Sequence, residues 1–312
     1  MRYGFGVDLG GTTVKIAFFD ETGTLLEKWE IPTVTENSGA RILPDISASV
    51  KDCMKRKNIP AEDILGIGIG VPGPVLPDGT VNRCINLGWG VFNIEKALQS
   101  LTGYPVKAGN DATVAALGEC WKGGGKGCDS MVLVTLGTGV GGGVVIGGRA
   151  VHGAHGAGGE IGHIVIDPEE TEVCGCGNRG CAEQYCSATG VVRMAKGYLA
   201  QNKKCSSLRG KDPLTCKDVF DAAADEDPVA KEILEQVYDR MAYFVASVCN
   251  VIDPEVVVLG GGVSKAGQPL LDGISGHFGK YVFHAVTGVR FALAELGNDA
   301  GAYGAFKLLL DQ

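Results

Sequence analysis

Two short apolar runs near the start of the chain, at residues 3–8 and 14–19, are typical of β-strands. The segment between them is rich in glycine and polar residues, which favours a tight turn. We therefore predict a hairpin that opens a sheet. Its turn contains Gly10, Gly11, Thr12 and Thr13.

The same succession of strand, glycine and threonine turn, and strand returns in the middle of the chain. Apolar runs at residues 131–136 and 140–146 flank a turn of Gly137, Thr138 and Gly139. The two stretches are not a tandem sequence repeat. The pattern therefore indicates one local structure that is used twice.

Apolar residues at helical spacing predict helices, and further apolar runs predict buried strands. The predicted helices lie at residues 40–56, 112–121, 229–249 and 300–310. The additional strands lie at residues 64–71, 106–108 and 256–259. Because strands and helices alternate along the chain, the predicted fold class is α/β.

Composition and charge narrow the classes of protein to consider. The chain has 312 residues, of which 45% are hydrophobic, so it can bury the core of one large domain or of two. Its net charge of −8 disfavours a nucleic-acid-binding protein, which needs a basic face for phosphates. The N-terminus lacks a signal-peptide pattern, and the most apolar stretch, residues 131–146, is too short and too glycine-rich for a membrane helix. We expect a cytoplasmic protein that partners neither nucleic acid nor membrane.

The two glycine turns are candidate phosphate-binding loops. A phosphate group needs several backbone N–H groups that converge without side chains in the way, and threonine hydroxyls add donors. Asp8, at the end of the first predicted strand, is placed to hold Mg²⁺ directly or through water. A third glycine loop, at residues 260–262, follows the predicted strand at residues 256–259.

Two other interpretations of these loops stay open. Each could be an ordinary hairpin turn. Residues 137–142 also match G-x-G-x-x-G, the dinucleotide-binding pattern, but that pattern requires a helix after the glycines. Here Val144, Val145 and Ile146 favour a strand instead, and the sequence contains no Walker A motif.

Four of the 11 cysteines lie between residues 174 and 186 and suggest a metal site. Cys174, Cys176 and Cys181 lie in a glycine-rich segment, eleven residues or more after His163. A structural zinc ion takes four Cys or His ligands, so His163 is the natural fourth ligand and Cys186 a weaker substitute. Free thiols and a local disulfide are the alternatives, although a reducing compartment disfavours the disulfide.

Several motifs in the expected order give the chain a resemblance to known proteins. The two strand–glycine–strand loops resemble the phosphate loops of the actin-like ATPase fold, which actin, the Hsp70 chaperones and sugar kinases share. Gly-Glu-Ile-Gly-His at residues 159–163, Cys-Gly-Cys-Gly at residues 174–177, Cys181 and Glu183 resemble the signature of the ROK family of sugar kinases. The resemblance runs from Asp8 to the predicted helix at residues 300–310 and covers essentially the whole chain.

The resemblance implies an actin-like ATPase (ribonuclease H-like) fold with two α/β domains around a cleft. We expect an N-terminal domain of residues 1–117 plus 299–312. The C-terminal domain would span residues 118–298 and carry the cysteine segment. Relatives in this family associate, so a homodimer or homotetramer is expected.

The implied activity is ATP-dependent phosphorylation of glucose to glucose 6-phosphate, assisted by Mg²⁺. Asn110 and Asp111 could simply cap the following helix, but the resemblance makes Asp111 the general base. The implied sugar ligands are Asn110, Asp111, Glu160, His163 and Glu183. The implied nucleotide contacts are Asp8, Gly10, Gly11, Thr12, Thr13, Gly137, Thr138, Gly139, Gly261 and Gly262, the last two on the adenosine side. A structural zinc ion on His163, Cys174, Cys176 and Cys181 would hold the sugar ligands nearby as one rigid unit.

Three alternative functions stay open. Kinases for N-acetylmannosamine or N-acetylglucosamine belong to the same family, and these motifs barely separate them. Sugar-sensing ROK regulators share the body but carry an N-terminal helix-turn-helix, which is disfavoured here because the first hairpin begins at Tyr3. An actin-like or chaperone-like ATPase would leave the cysteine segment and the Glu160/Glu183 pair without a role.

Overall fold

The computed structural model of the protein describes residues 1–311. Its strands, in chain order, are β1 (Tyr3–Leu9), β2 (Thr13–Asp20), β3 (Leu25–Pro32), β4 (Ile64–Val71), β5 (Thr80–Cys84), β6 (Trp89–Asn93), β7 (Val106–Asn110), β8 (Met131–Leu136), β9 (Val140–Ile146), β10 (Arg149–Ala150), β11 (Val256–Gly260) and β12 (Arg290–Leu293). Its α-helices are α1 (Glu36–Gly39), α2 (Ile42–Lys57), α3 (Ile94–Thr102), α4 (Asp111–Lys122), α5 (Glu183–Cys186), α6 (Ala188–Gln201), α7 (Cys216–Ala224), α8 (Pro228–Ile252), α9 (Gln268–Phe278) and α10 (Ala300–Leu310).

The chain divides into two compact units. Unit 1 contains Met1–Met131, Gly143–Gly159 and the described residues from Glu295 onward. Unit 2 contains Val132–Gly142 and Glu160–Ala294. Helix α10 therefore belongs to the unit that holds the N-terminus, whereas the domain boundaries expected from the sequence stay a prediction.

The sheet of unit 1 has the strand order β3-β2-β1-β4-β7. The predicted opening hairpin is confirmed, because β1 pairs antiparallel with β2. Strand β4 runs parallel to β1 on one side and to β7 on the other. The carboxyl ends of β1, β4 and β7 consequently meet at one edge of the sheet.

Alternation along β2 divides the core of unit 1 between the two faces of this sheet. Ile16 and Phe18 join the buried cluster that includes residues of α2. Ala17 and Phe19 join the cluster formed with α10, where the rings of Phe19 and Phe306 stack with centroids 4.8 Å apart.

Glycine allows α10 to lie directly against the sheet. A Cβ at Gly6 would come within 2.0 Å of the carbonyl oxygen of Ala302, and a Cβ at Gly68 within 1.7 Å of that of Ala305. No side chain fits in either place. Some of the 49 glycines therefore allow close packing of backbones and do not bind a ligand.

The second sheet has the order β10-β9-β8-β11-β12. Strand β9 follows the glycine turn at residues 137–139, and it is a strand and not a helix. The dinucleotide-binding interpretation of that turn is therefore wrong. In unit 2, the 25-residue helix α8 contacts α5, α6, α7 and α9 and forms the centre of the helical layer. Within residues 1–311, none of the helices combines the length and apolar character that crossing a bilayer requires.

Candidate active site and metal centre

Asp8 and Asp111 lie along the same edge of the unit 1 sheet. In the parallel ladders, Asp8 of β1 is level with Gly70 of β4, and Asn110 of β7 is level with Val71. Only β4 lies between β1 and β7, so these two strands are about 10 Å apart. The sheet thus brings together two carboxylates that lie over 100 residues apart in the sequence.

Asn110 fixes the start of the helix that carries Asp111. Its backbone is extended (φ −63°, ψ 145°), and its Oδ1 accepts a hydrogen bond from the N–H of Thr113 at 3.1 Å. Its Nδ2 donates to the carbonyl oxygen of Gly73 at 3.1 Å. Asn110 is therefore the N-cap of α4, and Asp111, the first residue of that helix, is half-buried at the edge of the sheet.

Asp8 has a cationic neighbour that sequence reasoning missed. Its Oδ2 lies 3.5 Å from Nζ of Lys15. Burial raises the pKa of Asp8, while Lys15 acts in the opposite direction. A Cβ at Gly301 would come within 2.7 Å of the Asp8 carboxyl carbon, so the start of α10 packs directly against the Asp8 side chain. The contact could have been inferred from the predicted hairpin, because its register pairs Lys15 with Asp8.

The first glycine turn is anchored through its carbonyl groups and leaves its tip exposed. The N–H of Gly10 donates to the carbonyl oxygen of Thr13 at 3.0 Å. Thr33 Oγ1 donates to the carbonyl oxygen of Gly10 at 2.7 Å. Gly11 and Thr12 are exposed, and a Cβ at Gly11 would meet no atom within 4 Å. The backbone at the tip is therefore accessible to a ligand.

The second glycine turn is held by the segment that follows Glu183. The N–H of Ala188 donates to the carbonyl oxygen of Gly137 at 2.8 Å, and Thr189 Oγ1 donates to that of Thr138 at 2.9 Å. The N–H of Val140 donates to Oε2 of Glu183 at 3.0 Å. Glu183 thus binds directly to the end of this turn, a contact that the sequence pattern did not indicate.

The third glycine loop packs against the strand that precedes the second turn. Gly261 has a φ of +84°, and a Cβ there would lie 2.5 Å from the carbonyl oxygen of Leu136. Both the backbone conformation and the close approach require glycine. Beside this loop is a cavity of about 260 Å³, lined by Gly262 and Val263 together with Cys216 and Phe220 of α7. The cavity has mainly apolar walls.

The predicted metal ligands converge. One side-chain donor atom from each of His163, Cys174, Cys176 and Cys181 lies within 4.8 Å of the others. The sulfur atoms of Cys176 and Cys181 are 3.6 Å apart, which is too far for a disulfide bond. Cys186 is buried outside this group. The donor set of one imidazole and three thiols fits tetrahedral zinc.

Backbone pairing folds the cysteine segment into a compact loop. The N–H of Cys174 donates to the carbonyl oxygen of Asn178 at 2.7 Å, and the N–H of Ile166 donates to that of Gly180 at 2.7 Å. Gly180 has a φ of +73°, and a Cβ there would lie 1.8 Å from the carbonyl oxygen of Asp167. The glycines between the cysteines therefore permit the chain reversals that bring the thiols together.

Burial sets the protonation of two of the three thiols. It raises the pKa of Cys174, and it raises that of Cys181 to about 12. Cys176 is exposed, and a hydrogen bond from the backbone of Asn178 lowers its pKa. Without a cation, two of these thiols are therefore protonated at neutral pH. Metal binding requires the loss of those protons.

The predicted sugar ligands of unit 2 surround the start of β9. Glu160 is exposed and directly precedes the 3-10 turn Ile161–His163. A Cβ at Gly162 would lie 2.1 Å from the carbonyl oxygen of Val140, so this turn lies against the residue whose N–H binds Glu183. Glu183 Oε1 is 3.6 Å from Sγ of Cys174. The structure thus groups Glu160, His163, Glu183 and the cysteines in unit 2, and Asp8, Asn110 and Asp111 in unit 1.

Comparison with known proteins gives consistent matches over the full length. Residues 4–312 match the ROK family. A glucokinase from Halalkalibacterium halodurans is 42% identical over 316 residues, which cover 100% of this chain and 96% of that protein. A glucokinase from Thermotoga maritima is 35% identical, covering 98% of this chain and 97% of that protein.

A solved structure shows the same fold. The crystal structure of a ROK family glucokinase from Streptomyces griseus, in complex with glucose and AMPPNP, matches with a TM-score of 0.73 and 32% identity. The match covers 98% of each chain. The actin-like ATPase fold predicted from the two glycine turns is confirmed, and the chain belongs to the ROK family.

Proposed function

We propose that this protein is an ATP-dependent glucokinase, which converts glucose and ATP to glucose 6-phosphate and ADP. The observation that carries the proposal is the position of Asp111 at the first residue of α4, along the sheet edge that also holds Asp8. Relatives named glucokinase, at 42% and 35% identity over nearly the whole chain, support the same activity.

Asp111 is the proposed general base. Its carboxylate accepts a hydrogen bond from the attacking hydroxyl of the sugar and orients that oxygen towards the γ-phosphorus of ATP. A bond forms between the sugar oxygen and the γ-phosphorus, and the bond from that phosphorus to the β–γ bridging oxygen breaks. ADP leaves, and the hydroxyl proton passes to Asp111 and then to solvent. Phosphoryl transfer depends chiefly on such positioning and on charge neutralisation, so a weak base suffices.

Asp8 and the glycine turns are the proposed MgATP ligands. Asp8 would hold Mg²⁺ directly or through water, and the ion would neutralise charge on the phosphates. The exposed tip at Gly11 and Thr12 offers backbone and hydroxyl donors to phosphate oxygens. The mainly apolar cavity beside Gly262 suits the adenine base.

The proposed sugar ligands are Asn110, Asp111, Glu160, His163 and Glu183. Carboxylates form short, charge-assisted hydrogen bonds with sugar hydroxyls. Oε2 of Glu183 accepts from the N–H of Val140 at 3.0 Å, whereas Oε1 has a longer contact, 3.6 Å from Sγ of Cys174, so Oε1 is the oxygen assigned to the sugar. Asn110 acts mainly by fixing the start of α4.

Zinc is the proposed occupant of the site formed by His163, Cys174, Cys176 and Cys181. When bound, it would supply structural cross-linking and no chemical step. The four side chains belong to two separate backbone segments, so the ion would tie the turn that carries His163 to the loop that precedes Glu183.

The substrate assignment is tested by measuring ADP release from MgATP with a panel of sugars. We expect the highest kcat/KM with glucose and lower values with mannose, fructose, N-acetylglucosamine and N-acetylmannosamine. A higher kcat/KM with an N-acetyl sugar would keep the mechanism and overturn the substrate.

Two further expectations concern assembly and location. Light scattering tests self-association as a homodimer or homotetramer, and cell fractionation tests a cytoplasmic location.

A further inference from the structure

Tyr185 is buried between two arginine side chains in unit 2. The guanidinium carbon of Arg193 lies 4.7 Å from the centre of the tyrosine ring, and that of Arg240 lies 4.9 Å from it. A planar cation over an aromatic face is attracted by the ring and packs flat against it. The two arginines come from α6 and α8, so the ring joins three helices.

Two carboxylates hold the edge of this cluster. The Tyr185 hydroxyl lies 2.9 Å from Oδ2 of Asp167 and 2.6 Å from Oε2 of Glu170. Each carboxylate also pairs with one of the arginines: Asp167 with Arg240 at 3.2 Å, and Glu170 with Arg193 at 2.7 Å. The hydrogen bond from Tyr185 is the largest of the influences that lower the pKa of Glu170 to about 2. Glu170 is therefore ionised throughout the neutral range.

The orientation of helix α5 depends on its contacts with neighbouring segments. This helix contains four residues, Glu183–Cys186, and a helix of that length is unstable alone. Gln184 adds three hydrogen bonds: its carbonyl oxygen accepts from Arg193 Nε at 3.2 Å, its Oε1 accepts from the N–H of Cys181 at 3.2 Å, and its Nε2 donates to the carbonyl oxygen of Glu172 at 3.1 Å. The cluster around Tyr185 is thus a buried anchor of α5 that is built from charged groups.

The anchor and the carboxylate of Glu183 point to different sides of the same short helix. Residues two apart in an α-helix are rotated by about 200° around its axis. A fixed Tyr185 ring therefore directs Glu183 towards the opposite side. That side is where the N–H of Val140 meets Glu183 Oε2. Rotation of α5 would withdraw the carboxylate from this position.

We propose that Tyr185, held between Arg193 and Arg240, is a positioning residue that sets the orientation of Glu183 and through it the affinity for the sugar. The inference rests on the proposed role of Glu183 as a sugar ligand. Glu183 also binds the N–H of Val140 at the end of the second glycine turn, so loss of the anchor weakens sugar binding directly and affects the nucleotide only through that turn. The lining of the proposed adenine cavity contains no residue of α5.

The test compares Tyr185→Leu, which removes the ring, with Tyr185→Phe, which removes only the hydroxyl. Both are measured for KM with glucose, KM with ATP, kcat, zinc content and Tm. We expect Tyr185→Leu to raise the KM for glucose about tenfold, the effect of losing one charge-assisted hydrogen bond. The KM for ATP should rise by a smaller factor, because Glu183 also holds the end of the second glycine turn. Tyr185→Phe is expected to raise the KM for glucose by a smaller factor, because the ring still lies between the guanidinium groups.

Tyr281→Phe is the matched control. Its hydroxyl also bonds a carboxylate of unit 2, Asp239 Oδ2 at 2.7 Å, but α5 takes no part in that contact. This variant should keep the wild-type KM for glucose. An equal rise in Tyr281→Phe and Tyr185→Phe would overturn the inference, since the effect would then be general loosening of the unit.

Glu183→Gln separates the inference from the proposed function. If Glu183→Gln raises the KM for glucose and both Tyr185 variants leave it unchanged, Glu183 binds sugar and the positioning role of Tyr185 is wrong. If Glu183→Gln leaves the KM for glucose unchanged, the proposed sugar role of Glu183 fails, and the inference fails with it. If Tyr185→Leu does not fold, Tyr185→Phe and Glu183→Gln still decide the question.

Discussion

Nζ of Lys15 lies 3.5 Å from Oδ2 of Asp8 and donates a hydrogen bond to the carbonyl oxygen of Asn298 at 3.2 Å. Asp8 and Lys15 face each other across the first hairpin, so the length of the glycine turn sets their pairing. Lys15 therefore links the carboxylate proposed to hold Mg²⁺ to the segment that leads into α10. A partly buried carboxylate keeps its charge more readily beside such a cation.

Replacement of Lys15 by methionine should shift the pH dependence of the reaction. Burial raises the pKa of Asp8 and Lys15 lowers it, so loss of Lys15 raises that pKa further. The ionised form of Asp8 is then lost at a higher pH as the solution is acidified. We expect the acid limb of the profile of kcat/KM for ATP to move to higher pH.

Lys15→Arg is the control for this experiment, because it keeps the positive charge. Its acid limb should stay close to that of the wild type. An unchanged acid limb in Lys15→Met would contradict the influence of Lys15 on Asp8.

Two glycines of the cysteine segment should respond differently to alanine. Gly180 and Gly177 both have positive φ angles, +73° and +94°. A Cβ at Gly180 would lie 1.8 Å from the carbonyl oxygen of Asp167, whereas one at Gly177 would meet nothing within 4 Å. We expect Gly177→Ala to lower the free energy of unfolding by about 1 kcal/mol, the cost of the backbone conformation alone. Gly180→Ala should cost about 3 kcal/mol, because backbone must also move.

Urea unfolding of the two variants side by side measures both costs. Equal destabilisation would show that the approach of Gly180 to Asp167 does not constrain the loop.

Metal removal should destabilise unit 2 and lower activity. A tetrahedral site on His163, Cys174, Cys176 and Cys181 predicts about one zinc ion per chain, measured by mass spectrometry of the metal content. We expect a chelator to lower Tm by at least about 5 °C and to reduce kcat/KM for glucose. Added Zn²⁺ should restore both.

Cys176→Ser and Cys205→Ser form a matched pair, since both cysteines are exposed and only the first belongs to the group of four. Cys176→Ser should lose the metal and Cys205→Ser should keep it. Full metal content in Cys176→Ser would contradict the assigned ligand set.

Sequence patterns located the elements that carry the site because those elements are buried and bounded by glycine or by a cap. The strands at residues 64–71, 131–136 and 140–146 and the helix at residues 300–310 were predicted with the bounds that the structure has. The cap at Asn110 was also correct, and its side chain accepts the expected hydrogen bond. In each case, a glycine, a cap residue or the end of an apolar run marked the boundary of the element.

Elements with a half-exposed pattern were missed. Strand β3 alternates partly buried and exposed residues and contains charged side chains, so it gave no continuous apolar run. Helix α7 is short, and its capping box of Thr215 and Asp218 was not recognised. The strand predicted at residues 106–108 continues to Asn110, because pairing with β4 extends it beyond its apolar part.

The contacts that orient the site could not be read from local patterns, because they join distant segments. The bond from the N–H of Val140 to Glu183 spans 43 residues, and the contact between Arg240 and Asp167 spans 73. Residue types and spacing indicated which side chains bear chemistry. The tertiary structure alone shows what fixes their orientation.

The most direct test of the proposed mechanism is the rate of ADP release with glucose and MgATP for Asp111→Asn. The control is Asn93→Ala, which removes the N-cap side chain of α3 in unit 1. Asparagine keeps the shape of the side chain but cannot take up the hydroxyl proton. We predict a fall in kcat of at least about 100-fold in Asp111→Asn, with KM for ATP and Tm close to wild type, and little change in kcat for Asn93→Ala. A kcat for Asp111→Asn within a few-fold of the wild type would contradict the assignment of Asp111 as the general base.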